Sequence, residues 1–406
     1  MTFSFKNREK VFKFLDHYSN DMKEQIDINK TKQPLLKSYI FETFNREINE
    51  DLEFDISSLE SLINNEYGTF KQIDECLYSI IGFNKFPFGF IEIVNDRFFV
   101  LYALEKSSIT DQLFSKIIKS SSLIDNLWIS GKMFDGFLTQ IAATHHPQRY
   151  IKMNFEYSNI FNSLDEEGYI QSDYIDFDFE EDRVTKINLS KELAEIKMNL
   201  PEIRNLLPEF NSIGLLKFPT RIGKGGHDFY RNGKVTNRSN SFKDHRYQIT
   251  NNINYYKNIT EDLENNVWLN FENISAPSKS ESLNFNGLPV SFKFSKKLNE
   301  STFNKFVDVT FRKGQEPFKI IGNPIRLNNE RVHVYGTDLH LWQEVILDLS
   351  CDEFIMFLPR GTCGNTIHRM VTNIQRYLDP AVTITIGNID YESYINKYLE
   401  VLPDYE

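Results

Sequence analysis

An α+β fold is what the 406 residues of this chain predict. Three observations predict it. Near the N-terminus apolar side chains recur at three and four residues, the helical period. In the middle, β-branched and aromatic runs end at Asn, Asp, Gly or Pro, as strands do. The last part returns to strand, helix, several strands, helix, strand and helix, closing on a β-α-β-α order.

The elements follow in order. "REKVFKFLDHYSNDMKEQI" sets Val11, Phe12, Leu15 and Tyr18 on one helical face. "PLLKSYIFETFNREI" opens at Pro34 and repeats that spacing, so residues 1–85 read as a helical N-terminal segment. "FGFIEIVNDRFFVLYAL" reads as two strands around an Asn95-Asp96 turn. A helical region over 109–143, broken near Ser130-Gly131, and the strand "RYIKMNFEY" complete a unit packed on the N-terminal helices. Next come a helix over 190–208 containing Pro201, the strand "SIGLLKFP", a hairpin signalled by Asn232-Gly233, and a helix from Tyr247. "SAPSKSESLNFNG" (275–287) reads as a linker. The expected organisation is therefore 1–85 helical, 86–272 mixed α+β, and 288–406 an α/β-like C-terminal domain.

Composition bounds the function. Apolar residues make up 40% and charged residues 25%, the profile of a soluble globular protein. No run approaches a membrane span, and the charged N-terminus lacks a signal-peptide core, so a cytoplasmic protein is expected. Cys76, Cys351 and Cys363 lack CxxC spacing, which predicts reduced thiols and no structural zinc. No cofactor is implied. A net charge of -11 argues against coating nucleic acid over the whole surface but leaves room for a local basic site.

Four constellations could carry chemistry. In "FLPRGTCGNTIHRMVTNIQRYLDP" a strand meets a glycine turn and then a helix with Ile367, Met370, Ile374 and Leu378 on one face. Such a turn offers backbone N–H groups to a phosphate, with Arg360, Arg369 and Arg376 as added charge. It lacks the Lys-Ser or Lys-Thr of a P-loop. Cys363 and Arg369 resemble the C-x5-R loop of cysteine-dependent phosphatases over seven residues, although Met370 stands where that loop has a hydroxyl. "GTCGN" also approaches a nucleophile elbow. The bland alternative is a tight structural turn.

Residues 217–246 are basic: Lys217, Arg221, Lys224, Arg231, Lys234, Arg238, Lys243 and Arg246 outnumber Asp228 and Asp244. Phe229, Tyr230, Phe242 and Tyr247 interleave, giving cations for phosphates and rings for bases. The alternative is a solvated hairpin neutralised by the acidic stretch 165–182, which holds nine carboxylates. In that stretch Asp176, Asp178, Glu180 and Asp182 share one face at period two, a solvated edge or a cation site. Finally, His145-His146, His227-Asp228 and Asp244-His245 suggest a metal phosphohydrolase set, and His333 or His340 could pair with Cys363.

Three readings follow. The chain is a non-catalytic binding subunit for a nucleic-acid backbone or nucleotide, in a bacterial nucleic-acid-handling or phage-defence complex. Otherwise it is a metal-dependent phosphoesterase or nuclease built on His227, Asp228, Asp244 and His245. The third reading is a scaffold that docks other protein subunits.

Overall fold

The computed structural model describes residues 5–28, 34–158, 160–161, 184–275, 281–314 and 316–399. The acidic stretch 165–182 lies outside them. In chain order the helices are α1 (Arg8–Asp27), α2 (Glu60–Glu66), α3 (Ser107–Ser120), α4 (Gly131–Thr144) and α5 (Leu193–Leu206). They are followed by α6 (Phe242–Val267), α7 (Glu300–Lys313), α8 (Asn365–Tyr377) and α9 (Tyr391–Asn396). No helix among the described residues is long and apolar enough to cross a membrane.

Two sheets organise these helices, and the fold is α+β. The larger has eleven strands, all paired antiparallel. Its order begins Thr69–Asp74, Leu77–Ile81, Pro87–Ile93, Phe98–Ala103 and Lys37–Glu42. It continues with Lys234–Asn237, Gly226–Tyr230, Ile213–Pro219, Tyr150–Ser158 and Val184–Glu192, while Asp125–Asn126 pairs with Lys37–Glu42. The smaller sheet has nine strands, centred on Gln343–Ser350, Glu353–Pro359 and Val290–Lys293.

The first 85 residues are less helical than their spacing predicts. Lys37–Glu42 is a strand, and it sits between Phe98–Ala103 and Lys234–Asn237 at the middle of the large sheet. All six of its residues are buried, so it shows no alternation to betray it. Tyr39 and Phe41 pack with Leu113, Phe114 and Ile117 of α3 on one face. Ile40 on the other joins the core shared by α1, α4 and α6. The expected linker is also partly strand, because Glu281–Asn286 pairs antiparallel with Trp268–Ser275.

The C-terminal unit is built around α8. Strands Glu353–Pro359 and Thr383–Ile386 both run antiparallel to Val290–Lys293, so they are parallel to each other with α8 as the crossover. Ile367, Met370, Val371 and Ile374 belong to the same core as Phe354, Met356, Val345 and Leu347 of the sheet. The opposite face of α8 is polar, and it is buried too: Asn365, Thr366, His368, Arg369 and Asn373 are 0% exposed. That polar face bonds Asp125 and Asn126 of the large sheet, Asp338 of the smaller one, Thr260 of α6 and Tyr391 of α9. An amphipathic helix that buries both faces joins the two halves of the molecule.

Candidate functional site

The turn before α8 forms an anion site, and the protein fills it itself. Gly361 adopts φ 96°, a left-handed conformation that suits glycine. The Gly364 N–H donates to Glu264 Oε1 of α6 at 2.8 Å, so a carboxylate occupies the positive end of the helix. Arg97 clasps that carboxylate at 2.6 and 3.0 Å and Glu42 at 2.7 Å. Cys363 lies inside this cluster, 3.3 Å from Arg97 Nη2 and 3.8 Å from Glu42 Oε1. Burial pushes its thiol well above the ordinary range, and Glu42 pushes in the same direction. A thiolate nucleophile needs the reverse.

The seven-residue phosphatase resemblance therefore does not carry over in space. Arg369 is turned away from Cys363, bonding Asp125 at 2.7 Å, Asp338, and the Phe318 carbonyl at 3.0 Å. Lys319 adds a bond to Asp125 at 2.8 Å, and Arg369 with Lys319 holds that carboxyl below the usual carboxylate range against its burial. His340 bonds the carbonyls of Ser122 and Thr43, and His333 pairs with Asp348, so neither meets Cys363. Arg360 is exposed beside the turn.

The histidine constellation divides along its strand. His227 and Asp228 are neighbours in Gly226–Tyr230 and so point to opposite faces. His227 Nε2 meets Asp244 at 3.1 Å, His227 Nδ1 meets His245 Nδ1 at 3.1 Å, and His245 Nε2 meets Ser38 Oγ at 2.8 Å. Thr220 donates to Asp244. In the chain Asp244–His227–His245–Ser38 every ring nitrogen has a hydrogen-bond partner, and none of the four is more than 4% exposed. Burial holds His245 well below the ordinary histidine range, with His227 adding to it. Asp228, on the other face, takes Arg238 at 2.7 Å and Lys217 at 3.4 Å. Among the described residues no group of three or more His, Cys, Asp or Glu is placed to hold a metal ion.

The basic hairpin is real, but it is central in the large sheet. Gly226–Tyr230 pairs with Lys234–Asn237, with Gly233 at φ 81° in the connecting turn. Most of its cations are already engaged. Lys234 pairs with Asp111 at 2.6 Å, and Arg246 with Glu92 at 2.6 Å. Arg231 is half-buried. Lys224 and Lys243 remain exposed.

Arg221 lies 4.7 Å over the ring of Tyr247. The two residues line a small cleft, about 60 Å³, with Gln140, Gln248, Asn251 and Asn252. Phe218 and Phe229 close its floor. Lys243 stands one helical turn before Tyr247 on the same face of α6. Lys224 is in the Arg221 loop, whose backbone N–H bonds the Asn240 side chain at 3.0 Å.

Sequence reasoning missed the buried charges. Glu42, Glu92 and Arg97 stand inside apolar runs, "SYIFETF", "FIEIV" and "NDRFFVL". A lone charge within a strand-forming run signals a buried partner, because an unpaired one would be too costly. Asp125, Glu264 and Asp338 carried no comparable signal.

A sequence profile described as "MJECL33-like protein" matches residues 1–393. The chain is similar to the uncharacterised protein MJECL33 of Methanocaldococcus jannaschii, 24% identical over 411 residues and covering 94% of each chain. No solved structure matches.

Proposed function

For this chain, which belongs to the MJECL33-like protein family, we propose a non-catalytic role: binding a nucleotide or a single-stranded nucleic-acid segment. One observation carries the reading, the cleft where Arg221 covers Tyr247 beside four amide side chains. A planar guanidinium and a ring give a base a stacking surface, and amides pair with its polar edges. Lys224 and Lys243 supply charge for the phosphates. The absence of catalysis in this reading is supported by burial: His227, Asp244, His245 and Cys363 are sealed from solvent.

The test compares variants by fluorescence anisotropy on a short labelled single-stranded oligonucleotide. Loss of one stacked ring costs about 1–3 kcal/mol, so Tyr247→Ala should weaken binding by roughly tenfold or more. Lys224→Glu with Lys243→Glu should weaken it further. Unchanged affinity in both variants would sink the proposal.

A specific feature favours a second reading, a docking scaffold. The outward face of the smaller sheet exposes Ile321, Ile325, Tyr335 and the neighbouring Trp342, the last 63% exposed. Its edge strand Ile320–Asn328 carries Leu327 at a register shift. Apolar side chains grouped this way suit a protein partner. Light scattering of the wild type and Ile325→Lys/Tyr335→Glu tests self-association through this face. A monomer in both removes self-association from the scaffold reading.

A further inference from the structure

A second and larger cleft, of about 670 Å³, lies between α4, α5, α9 and the end of α8. Small-molecule sites span roughly 300–1,000 Å³, so the volume suits one. It shares no lining residue with the Arg221 cleft. Lys132, Asp135 and Thr139 place it on the opposite side of α4 from Phe137, Ile141 and Thr144, by the helical period. Its apolar floor, Leu138, Leu200, Val382 and Ile384, is buried.

The walls carry hydrogen-bonding capacity that the fold does not use. Gln375 is 4% exposed, and its Oε1 accepts the Gly131 N–H at 3.2 Å. Among the described residues its Nε2 has no partner. A buried donor left open is costly unless something meets it. On α5, Pro201 has no N–H for the Lys197 carbonyl one turn earlier, so that helical bond is missing where both residues line the cleft.

The charges lining the cleft are equal in number, Lys132, Lys197 and Arg204 against Asp135, Asp390 and Glu392. Lys132 pairs with Glu392 at 2.7 Å. Arg204, its side chain 9% exposed, holds Asp135 at 2.8 Å and the Phe210 carbonyl at 3.1 Å. Lys197 and Asp390 are exposed and make no ion pair among the described residues. One cation and one anion of the lining are thus open to a ligand, on α5 and at the residue before α9.

We propose that this cleft binds a small zwitterion with an apolar body, an amino acid or a short peptide. Lys197 meets the carboxylate and Asp390 the ammonium, each gaining an opposite charge. Gln375 Nε2 donates to a carbonyl or carboxylate oxygen, and a branched aliphatic side chain packs on the apolar floor. A nucleotide suits the cleft less well. Its phosphates need unpaired cations, and Lys132 and Arg204 are both taken. The aromatic ring of the lining, Tyr391, is 1% exposed and offers no face to a base.

Saturation-transfer NMR on the intact protein tests this, with L-leucine and trileucine as separate probes. At least one probe should show transfer, and which one does so tells a free amino acid from a peptide. N-acetyl-leucine amide has the same body without the charges and should show much weaker transfer. Thr139→Trp, at a half-buried position on the cleft side of α4, fills the space and should abolish the signal with the thermal midpoint little changed. Lys197→Glu, an exposed and therefore mild change for folding, should weaken it. No transfer to either probe at millimolar concentration would overturn the proposal. So would a signal undiminished in either variant, or equal transfer to N-acetyl-leucine amide.

Discussion

At the scale of single residues, charges are buried in closed sets rather than presented to a substrate. Arg97 is 1% exposed between Glu42 and Glu264. Removing it leaves the buried Glu264 and Glu42 side chains without their guanidinium, so Arg97→Met should cost about 3–5 kcal/mol in chemical denaturation. Burial raises the Glu42 carboxyl to about 8, opposed by Arg97 and helped by Glu264, and its Oε2 has no partner. The folded state therefore keeps a proton that the unfolded chain releases at its ordinary value of 4.5. Stability from this group is present at low pH and is lost as pH rises toward 8. Glu42→Gln should remove that loss, worth up to about 1.4 kcal/mol per pH unit, and equal pH profiles would contradict it.

His368 works in the opposite direction. Burial lowers it to about 3, with Arg97 adding, and its nitrogens meet Tyr391 at 2.8 Å and Thr260 at 3.0 Å. The unfolded chain takes up a proton near 6.5 that the folded state refuses. The stability His368 contributes is whole above 6.5 and lost as pH falls, as it is for His245. Thermal unfolding at pH 7 and pH 5 should show a lower midpoint at pH 5. The thiols give a simpler check. Cys351 and Cys363 are buried while Cys76 is partly exposed, so a thiol reagent should modify at most one group natively and three after denaturation. Rapid native modification of Cys363 would revive the nucleophile.

At the scale of elements, what was legible depended on which face met water. Helix α1 and the strands around Asn95-Asp96 have the patterns expected of half-buried pieces. Lys37–Glu42 was misread because a strand buried on both faces loses its alternation, and its apolar residues then mimic a helical spacing. The turn before α8 offers backbone N–H groups to a phosphate or is a tight structural turn on its sequence alone, and no sequence pattern says that Glu264, a hundred residues away, takes the Gly364 N–H. The basic hairpin was visible, whereas its neutralisation by Asp111 and Glu92 was not, since these partners come from elements joined to it only by the fold. The apolar face of α8 predicts a core helix, so Ile374→Ala should cost about 2–5 kcal/mol. Less than 1 kcal/mol would mean that α8 packs more loosely than this.

At the scale of the whole molecule, an acidic chain packs two sheets around a shared core with α8 between them and leaves a few of its hairpin cations exposed. Lys224 and Lys243 are exposed near the cleft where Arg221 covers the Tyr247 ring, and the account rests on these cations meeting a negatively charged partner. The most direct measurement is the salt dependence of wild-type affinity for a labelled single-stranded oligonucleotide. Neutralising three phosphates predicts a slope of about -2 in log K against log salt. A slope near zero, or no binding at low salt, would contradict the account.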